Sequence, residues 1–320
     1  MGSPGHGSAG AAYVFTNNGQ GFSQSAELTP PSTDSGDELG TPVAISGDGR
    51  TVVAGGRPSN NGTGAAFVFS DRSGTWTQVA KLVAKHSFEQ GISVTISADA
   101  STIVVTAPFS NNDVGAAFVF TRSGRTYKQA QKLTVRTSGI ALLGFDAAVS
   151  SDGSTIVLGA PIIHNQAGAA DMFTKSGTTW TRTARLVGAN TAASDNFGFT
   201  VAVSRSGTTM AVGSPSSNGG DGSAYVFNKS RGTFKQASQM LPPAGTSHAE
   251  AGQSVGISSD GSVVAFGAGH LHQDAGAIFV ASKTNGIFAV TATDTVDAGQ
   301  EDAVVRGHGC GTPLTPGQPN

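Results

Sequence analysis

The residues best suited to chemistry are His270, His272 and Asp274, whose His-x-His-x-Asp spacing can bring alternate side chains to one side of an extended segment. Two imidazoles and a carboxylate are zinc-type ligands. A zinc site needs a third or fourth convergent group, however, and the nearby sequence offers none; a solvated polar loop gives the same pattern. His164 and His86 sit in comparable stretches, which leaves a histidine-bearing rim open. A second group is asparagine-rich: Asn60 and Asn61, Asn111 and Asn112 with Asp113, Asn165 beside His164, and Asn218 with Asp221. Their amides suit carbohydrate hydroxyls, and the same residues make turns. Asn61-Gly62-Thr63 also has the form of a glycosylation acceptor. The carboxylate pairs Asp34 with Asp37 and Glu301 with Asp302 lie in loops with nothing to separate their pKa values. A Gly-x-Ser-x-Gly elbow, a phosphate loop and a His-Glu-x-x-His pair are all missing from the sequence. Catalysis is therefore the weaker reading.

What must position these residues is a repeat. The hexapeptide GAAFVF at Gly64 returns as GAAYVF at Gly10, GAAFVF at Gly115, GAADMF at Gly168, GSAYVF at Gly222 and GAIFVA at Gly276, at intervals of 54, 51, 53, 54 and 54 residues. Such a period means one supersecondary unit copied in series, each copy burying its apolar faces against its neighbours. The copy at 39–82 shows the plan. Residues 42–46 (PVAIS) lead through Gly47-Asp48-Gly49 into 51–55 (TVVAG), a loop at 58–63 follows, then 65–70, a turn at Arg72-Ser73-Gly74, and 76–82 (WTQVAKL). Four short strands in roughly fifty residues is the arithmetic of a propeller blade.

The expected fold is an all-β, single-domain propeller of four-stranded antiparallel blades, with repeats at 39–82, 90–133, 144–186, 197–241 and 252–293. A half repeat at 10–28 and a degenerate one at 299–320 are expected to pair and close a sixth blade, with 300–305 as its first strand. The first three strands of each repeat are apolar at consecutive positions, which predicts that both their faces are dry. The opening MGSPGHGSAG has neither a basic start nor an apolar segment, so it reads as an expression scar or the cut edge of a longer exported chain.

Bulk composition agrees: 45 glycines, 13 prolines and only 12% charged residues fit short strands and tight turns. A net charge of −2 provides no basic field for nucleic acid and no pull toward anionic lipid. Apolar runs stay below the about eighteen residues of a membrane helix. Cys310 is the single cysteine, so an intrachain disulfide is ruled out.

One feature of the repeats resembles a known family. Phe197-Gly198 precedes Gly213-Ser214-Pro215, Gly144-Phe145 precedes Gly159-Ala160-Pro161, and Thr106-Ala107-Pro108 and Gly55-Gly56-Arg57-Pro58 are variants. This is similar to the FG-GAP repeat of the integrin alpha-chain propeller and of many surface proteins. The resemblance implies a scaffold for adhesion, ligand binding or lectin activity, outside the cell or on its surface, in a chain that can be part of a larger surface protein. Calcium-binding members carry an Asp-x-Asp-x-Asp-Gly loop in the first hairpin. Here each turn keeps one carboxylate at most: Asp48, Asp99, Asp152 and Asp260, with Ser206 in the fourth copy. A hard cation wants about six to eight oxygens, so these read as hairpin devices and no cofactor is expected.

The short turns repeat almost unchanged, whereas the loops between strands two and three and between repeats vary. Function on repeat scaffolds sits on such irregular loops. The expected role is a non-enzymatic binding or adhesion module with a protein or glycan ligand on that face; the alternatives are a lectin with a shallow site per repeat, and a hydrolase or lyase. An aromatic falls at one slot per copy, at Phe22, Trp76, Tyr127, Trp180, Phe234 and Phe288. Sugar stacking would use such rings, but their recurrence favours packing between copies.

Overall fold

The computed structural model describes residues 1–7, 9–30, 38–56, 63–84, 90–243, 246–271 and 276–295. They form five four-stranded antiparallel sheets and one three-stranded sheet, each in simple up-and-down order. Blade one is Val43–Ile45, Thr51–Gly56, Ala65–Arg72 and Thr75–Leu82. Blade two is Val94–Ile96, Thr102–Ala107, Ala116–Ser123 and Thr126–Leu133. Blade three is Ala147–Val149, Thr155–Ala160, Ala169–Ser176 and Thr179–Leu186. Thr200–Val203, Thr209–Ser214, Ser223–Ser230 and Thr233–Met240 make blade four. Ser254–Ile257, Val263–Ala268, Ala277–Thr284 and Ile287–Thr295 make blade five. Blade six has Gly2–Ser3, Ala11–Asn17 and Phe22–Leu28.

The innermost strands are three or four residues long in blades one to five and stand side by side around an axis. Their hairpin turns are stitched head to tail: the amide of Gly47 donates to Ala98 O, Ala98 to Ser151 O, Ser151 to Arg205 O and Arg205 to Ser259 O, at 2.9 to 3.1 Å. In all six blades the outer pair carries a register shift at one place, after Val14, Val68, Val119, Met172, Val226 and Val280. An extra residue there bends and twists the outer edge, as flank-to-flank packing of flat blades requires.

The cores lie between blades. Val104, Leu133, Leu143, Ile156 and Trp180 join blades two and three, while Val157, Leu186, Phe197, Val212 and Tyr225 join three and four. The second strands of blades one to four are buried along their whole length, as consecutive apolar residues imply. First strands depart from that expectation. Ile45 of blade one is 54% exposed, beside the three-stranded blade six, while its counterpart Ile96 in blade two is 8% exposed although both line the channel.

The family motif has a physical basis at these seams. The amide of the first motif glycine donates to the carbonyl of the glycine before Ala-Pro or Ser-Pro in the same blade, as from Gly144 to Gly159 at 2.8 Å and from Gly198 to Gly213 at 3.0 Å. A Cβ on Gly159 would stand 2.0 Å from Gly198 O of the next blade. The first residue of the GAAFVF repeat bridges to that same next-blade loop, Gly115 with Leu143, Gly168 with Phe197 and Gly222 with Ala251. Backbone therefore packs on backbone at the joints of blade three with four and of blade four with five, where side chains would hold the blades apart.

The N-terminal residues differ from the sequence reading. Gly2 pairs with Ala12 and Ser3 with Ala11, as Gly213 pairs with Ala224 and Ser214 with Ser223 in blade four. Met-Gly-Ser-Pro thus stands where blade four has Val212-Gly213-Ser214-Pro215. It takes the place of the rim end of a second strand. Residues 299–320, expected to complete blade six, lie outside the described residues.

Candidate functional site

Two rims are available for recognition. On the first, the loops between strands two and three of blades two, three and four are clamped to the loops entering the next blade. Asp113 O accepts the amides of Ala141 and Leu142 at 3.0 Å each; Asn165 O accepts Ser194 N at 3.2 Å and Gln166 O accepts Asn196 N at 2.8 Å; Asp221 O accepts Ala251 N at 3.0 Å. The loops themselves are left-handed. Asn111, Asn112 and Asp113 have φ of 57, 54 and 61°, and His164, Asn165 and Gln166 have φ of 57, 58 and 64°. Runs of three such non-glycine residues are uncommon, since each costs about 1–2 kcal/mol against its right-handed alternative.

The candidate residues divide by what they touch. Asn111 Oδ1 accepts Lys132 Nζ at 2.9 Å and its amide donates to Gly115 O at 3.4 Å. Asn218 closes its own loop likewise, donating to Gly222 O at 3.4 Å. Asn112, His164 and Asn165 are exposed and Asp113 is half-buried. Asp221 Oδ1 accepts the amide of His248 at 2.9 Å, and His270 Nε2 lies 3.6 Å from Glu250 Oε2. Blades four and five thus gather Asp221, His248, Glu250 and His270 on one stretch of rim. His248 and Glu250 were not singled out by sequence; their variable inter-blade loop was the available signal. Asn60, Asn61, His272 and Asp274 lie outside the described residues, as does His86.

The second rim holds the short turns. Ser46 Oγ donates to Asp48 Oδ1 at 2.6 Å, which also accepts Arg50 N at 3.0 Å. The amide of Thr51 closes on Ser46 Oγ. Asp99, Asp152 and Asp260 repeat this with Ser97, Ser150 and Ser258, while Gly49, Gly153 and Gly261 supply positive φ. The Ser46 hydroxyl, then the Arg50 amide, hold Asp48 below its usual pKa. At Asp99 and Asp152 partial burial pushes upward, but the serine hydroxyls and following amides outweigh it and both titrate low. The Ser258 hydroxyl, followed by Ser262, brings Asp260 down to about 2.

A depressed carboxylate contributes stability above its unfolded value that is lost as pH falls through its folded value. Acid titration should therefore show a loss of stability between about pH 4 and pH 2, and Asp260→Asn, which keeps the acceptor oxygen, should flatten its share. Equal pH slopes for wild type and variant, followed by thermal melts, would refute this assignment.

These turns converge although they are far apart in sequence. Gly47, Asp48, Ala98, Asp99, Ser151, Asp152, Arg205, Ser206, Ser259 and Asp260 ring a mouth of about 850 Å³. It continues into a channel of about 330 Å³ walled by Ile45, Ile96, Val149, Val203 and Ile257. A residue repeated at one slot of every blade must encircle the axis, so the spacing of Asp48, Asp99, Asp152 and Asp260 was the signal for this ring. As calcium ligands the turns do not fit: each contributes at most one carboxylate, whose Oδ1 already accepts a hydroxyl and an amide. Among the described residues no three His, Cys, Asp or Glu side chains gather closely enough for a metal ion.

The repeated aromatics pack. Trp180 is 1% exposed and its Nε1 donates to Gly153 O at 3.0 Å, while Tyr127 donates to Ala100 O at 2.7 Å. Phe288 is 4% exposed, and Phe22, in the incomplete blade, is 75% exposed. Lys175 covers the Trp180 ring at 4.6 Å, and a covered ring offers no face to a sugar.

The chain shares its fold with known propellers. Hydrazine synthase of Kuenenia stuttgartiensis is 13% identical with a TM-score of 0.59, over 88% of this chain and 74% of that one. TolB from Acinetobacter baumannii is 13% identical with a TM-score of 0.51, over 95% of this chain but only 63%, under two thirds, of its own. Sqt1 of Chaetomium thermophilum, solved bound to the N-terminus of ribosomal protein L10, is 18% identical with a TM-score of 0.56, over 90% and 68%. No curated protein matches. Among the described residues no helix is long and apolar enough to cross a membrane. The family model of the FG-GAP repeat matches residues 22–69 and 180–227, each window running from the outer strand of one blade through the third strand of the next. With six blades around one axis and these two matches, the chain is a β-propeller carrying FG-GAP repeats.

Proposed function

We propose that this propeller is a non-enzymatic binding module that engages a protein partner through its loop rim, outside the cell or at its surface and without a resident metal. The observation that carries the reading is the pair of left-handed runs at Asn111-Asn112-Asp113 and His164-Asn165-Gln166. Strain of this kind persists where surrounding structure over-determines it, and it concentrates at recognition sites. Here the clamps to the neighbouring loops hold exposed Asn112, His164 and Asn165 in fixed positions, which lowers the ordering cost of binding. A solved neighbour, Sqt1, is a protein of the same fold with a protein segment bound.

The test screens the chain against arrays of extracellular proteins and of glycans, beside two variants. Asn112→Ser/His164→Ala/Asn165→Ser alters the loop rim; Asp48→Asn/Asp260→Asn alters the turn rim. A protein ligand whose affinity falls at least tenfold in the first and holds in the second is the expected result. Binding that survives the loop-rim variant overturns the reading. Repeat-valent sugar binding would favour a lectin instead, and turnover of an ester or glycoside a hydrolase.

A further inference from the structure

One carboxylate of the inner ring belongs to no hairpin turn. Asp146 stands at the head of blade three's first strand, at the place where blades one, two, four and five carry Pro42, Ser93, Thr200 and Ser254. Its half-buried side chain reaches three successive blades. Oδ1 accepts the Ser93 hydroxyl of blade two at 3.1 Å and the Ala147 amide of its own blade at 2.8 Å. Oδ2 accepts the Val201 amide of blade four at 2.9 Å. An ionised carboxylate satisfies three converging donors, whereas an amide would set its own N–H against one of them. Burial, the largest influence, raises the pKa of Asp146, and the three donors work against that rise.

Both ends of this link adjoin the loop rim. Asp146 follows Leu143 by three residues and Val201 follows Phe197 by four. Leu143 and Phe197 belong to two of the loop clamps: Leu143 N donates to Val114 O and Phe197 N to Ala167 O, both at 3.0 Å. Those clamps hold the left-handed runs at Asn111-Asn112-Asp113 and His164-Asn165-Gln166. The rings of Phe145 and Phe199, next to the link in each blade, meet with centroids 4.8 Å apart. Between blades four and five the same place carries a neutral contact, Thr200 Oγ1 donating to Gly252 O at 2.9 Å.

We propose that Asp146 is a positioning residue of the loop rim, a single carboxylate that fixes the left-handed run of blade two and that of blade three at one spacing. It joins the chain just beyond the first clamp to the chain just beyond the second. The clamps themselves tie each run only to the loop entering the next blade. Hydrogen bonds to an ionised acceptor are roughly twice as strong as neutral ones, so this link is the stiffest available between the two inner strands. A fixed spacing lowers the ordering cost only for a partner that touches both runs together, which means one protein surface spanning the loops of blades two and three. That choice of partner rests on the binding role proposed above; the positioning of the loops does not.

The test measures amide hydrogen exchange on the full chain, wild type beside Asp146→Asn and Ser93→Ala. In Asp146→Asn, exchange should rise roughly tenfold at both clamps, in peptides covering 141–143 and 194–197, about what one hydrogen bond to a charged group is worth. Peptides covering 250–251, where Gly220 O and Asp221 O accept the amides of Glu250 and Ala251, should exchange as in wild type. Ser93→Ala leaves Oδ2 on Val201 and should show the same pattern at smaller amplitude; should Asp146→Asn not fold, this variant decides alone. Equal rises at all three clamps, as a general loss of stability would give, or no rise at the first two overturns the proposal. A protein partner found on the array should bind Asp146→Asn about tenfold more weakly, and a partner held as tightly as by wild type overturns the spanning surface. The expected exchange pattern with no partner on the array upholds the positioning and removes the binding role instead.

Discussion

Replacing Arg185 with alanine should destabilise the propeller by about 3 kcal/mol, the lower end of what breaking a buried ion pair costs. Asp171 is fully buried and accepts Arg182 Nε at 2.6 Å, Arg185 Nε at 3.0 Å and Arg185 Nη2 at 2.7 Å. Without Arg185 the buried carboxylate keeps one partner, Arg182. The double exchange Asp171→Phe/Arg185→Lys should recover stability to within about 1 kcal/mol of wild type. In blades one and two those places already hold Phe67 under Lys81 at 5.3 Å and Phe118 under Lys132 at 5.5 Å. Urea denaturation of the three proteins decides it: if the double exchange is no more stable than Arg185→Ala, the two arrangements are not interchangeable.

Gly159→Ala should cost a similar amount, about 3 kcal/mol or more, at the seam between blades three and four. The new Cβ would stand 2.0 Å from Gly198 O, and Gly198 has φ of 89°, so neither backbone can yield without loosening the joint. Gly177→Ala is the control. Its φ is 61° and open space surrounds it, so only the left-handed penalty of about 1–2 kcal/mol applies. Blade two carries Thr106 at the corresponding place, its Oγ1 accepting the Ser93 amide at 2.9 Å, which means that joint is built around a larger residue. A Gly159→Ala melting temperature equal to that of Gly177→Ala would show that the seam has slack.

The fold was legible because a repeat writes its architecture many times. Each hexapeptide such as Gly64-Ala65-Ala66-Phe67-Val68-Phe69 marks a third strand dry on both faces, and each Ser-x-Asp turn marks the hairpin before it. Local signals of that kind need no knowledge of neighbours. The hairpin role given to Asp48, Asp99, Asp152 and Asp260 follows from the same logic, since the carboxylate bonds within two residues of itself.

Tertiary structure alone decided the rest. The second strand hidden in Gly2-Ser3 is two residues long, too short for any periodicity, and it becomes visible only through its pairing with Ala11 and Ala12. Exposure of Ile45 follows from its place beside the three-stranded blade six, which blade one's own sequence does not reveal. The meeting of Asp221, His248, Glu250 and His270 depends on how loops from two successive blades lean together. Composition and spacing determined that this chain is a ring of β-units; which side chains the ring brings face to face is set by closure around the axis, where residues about fifty positions apart become neighbours.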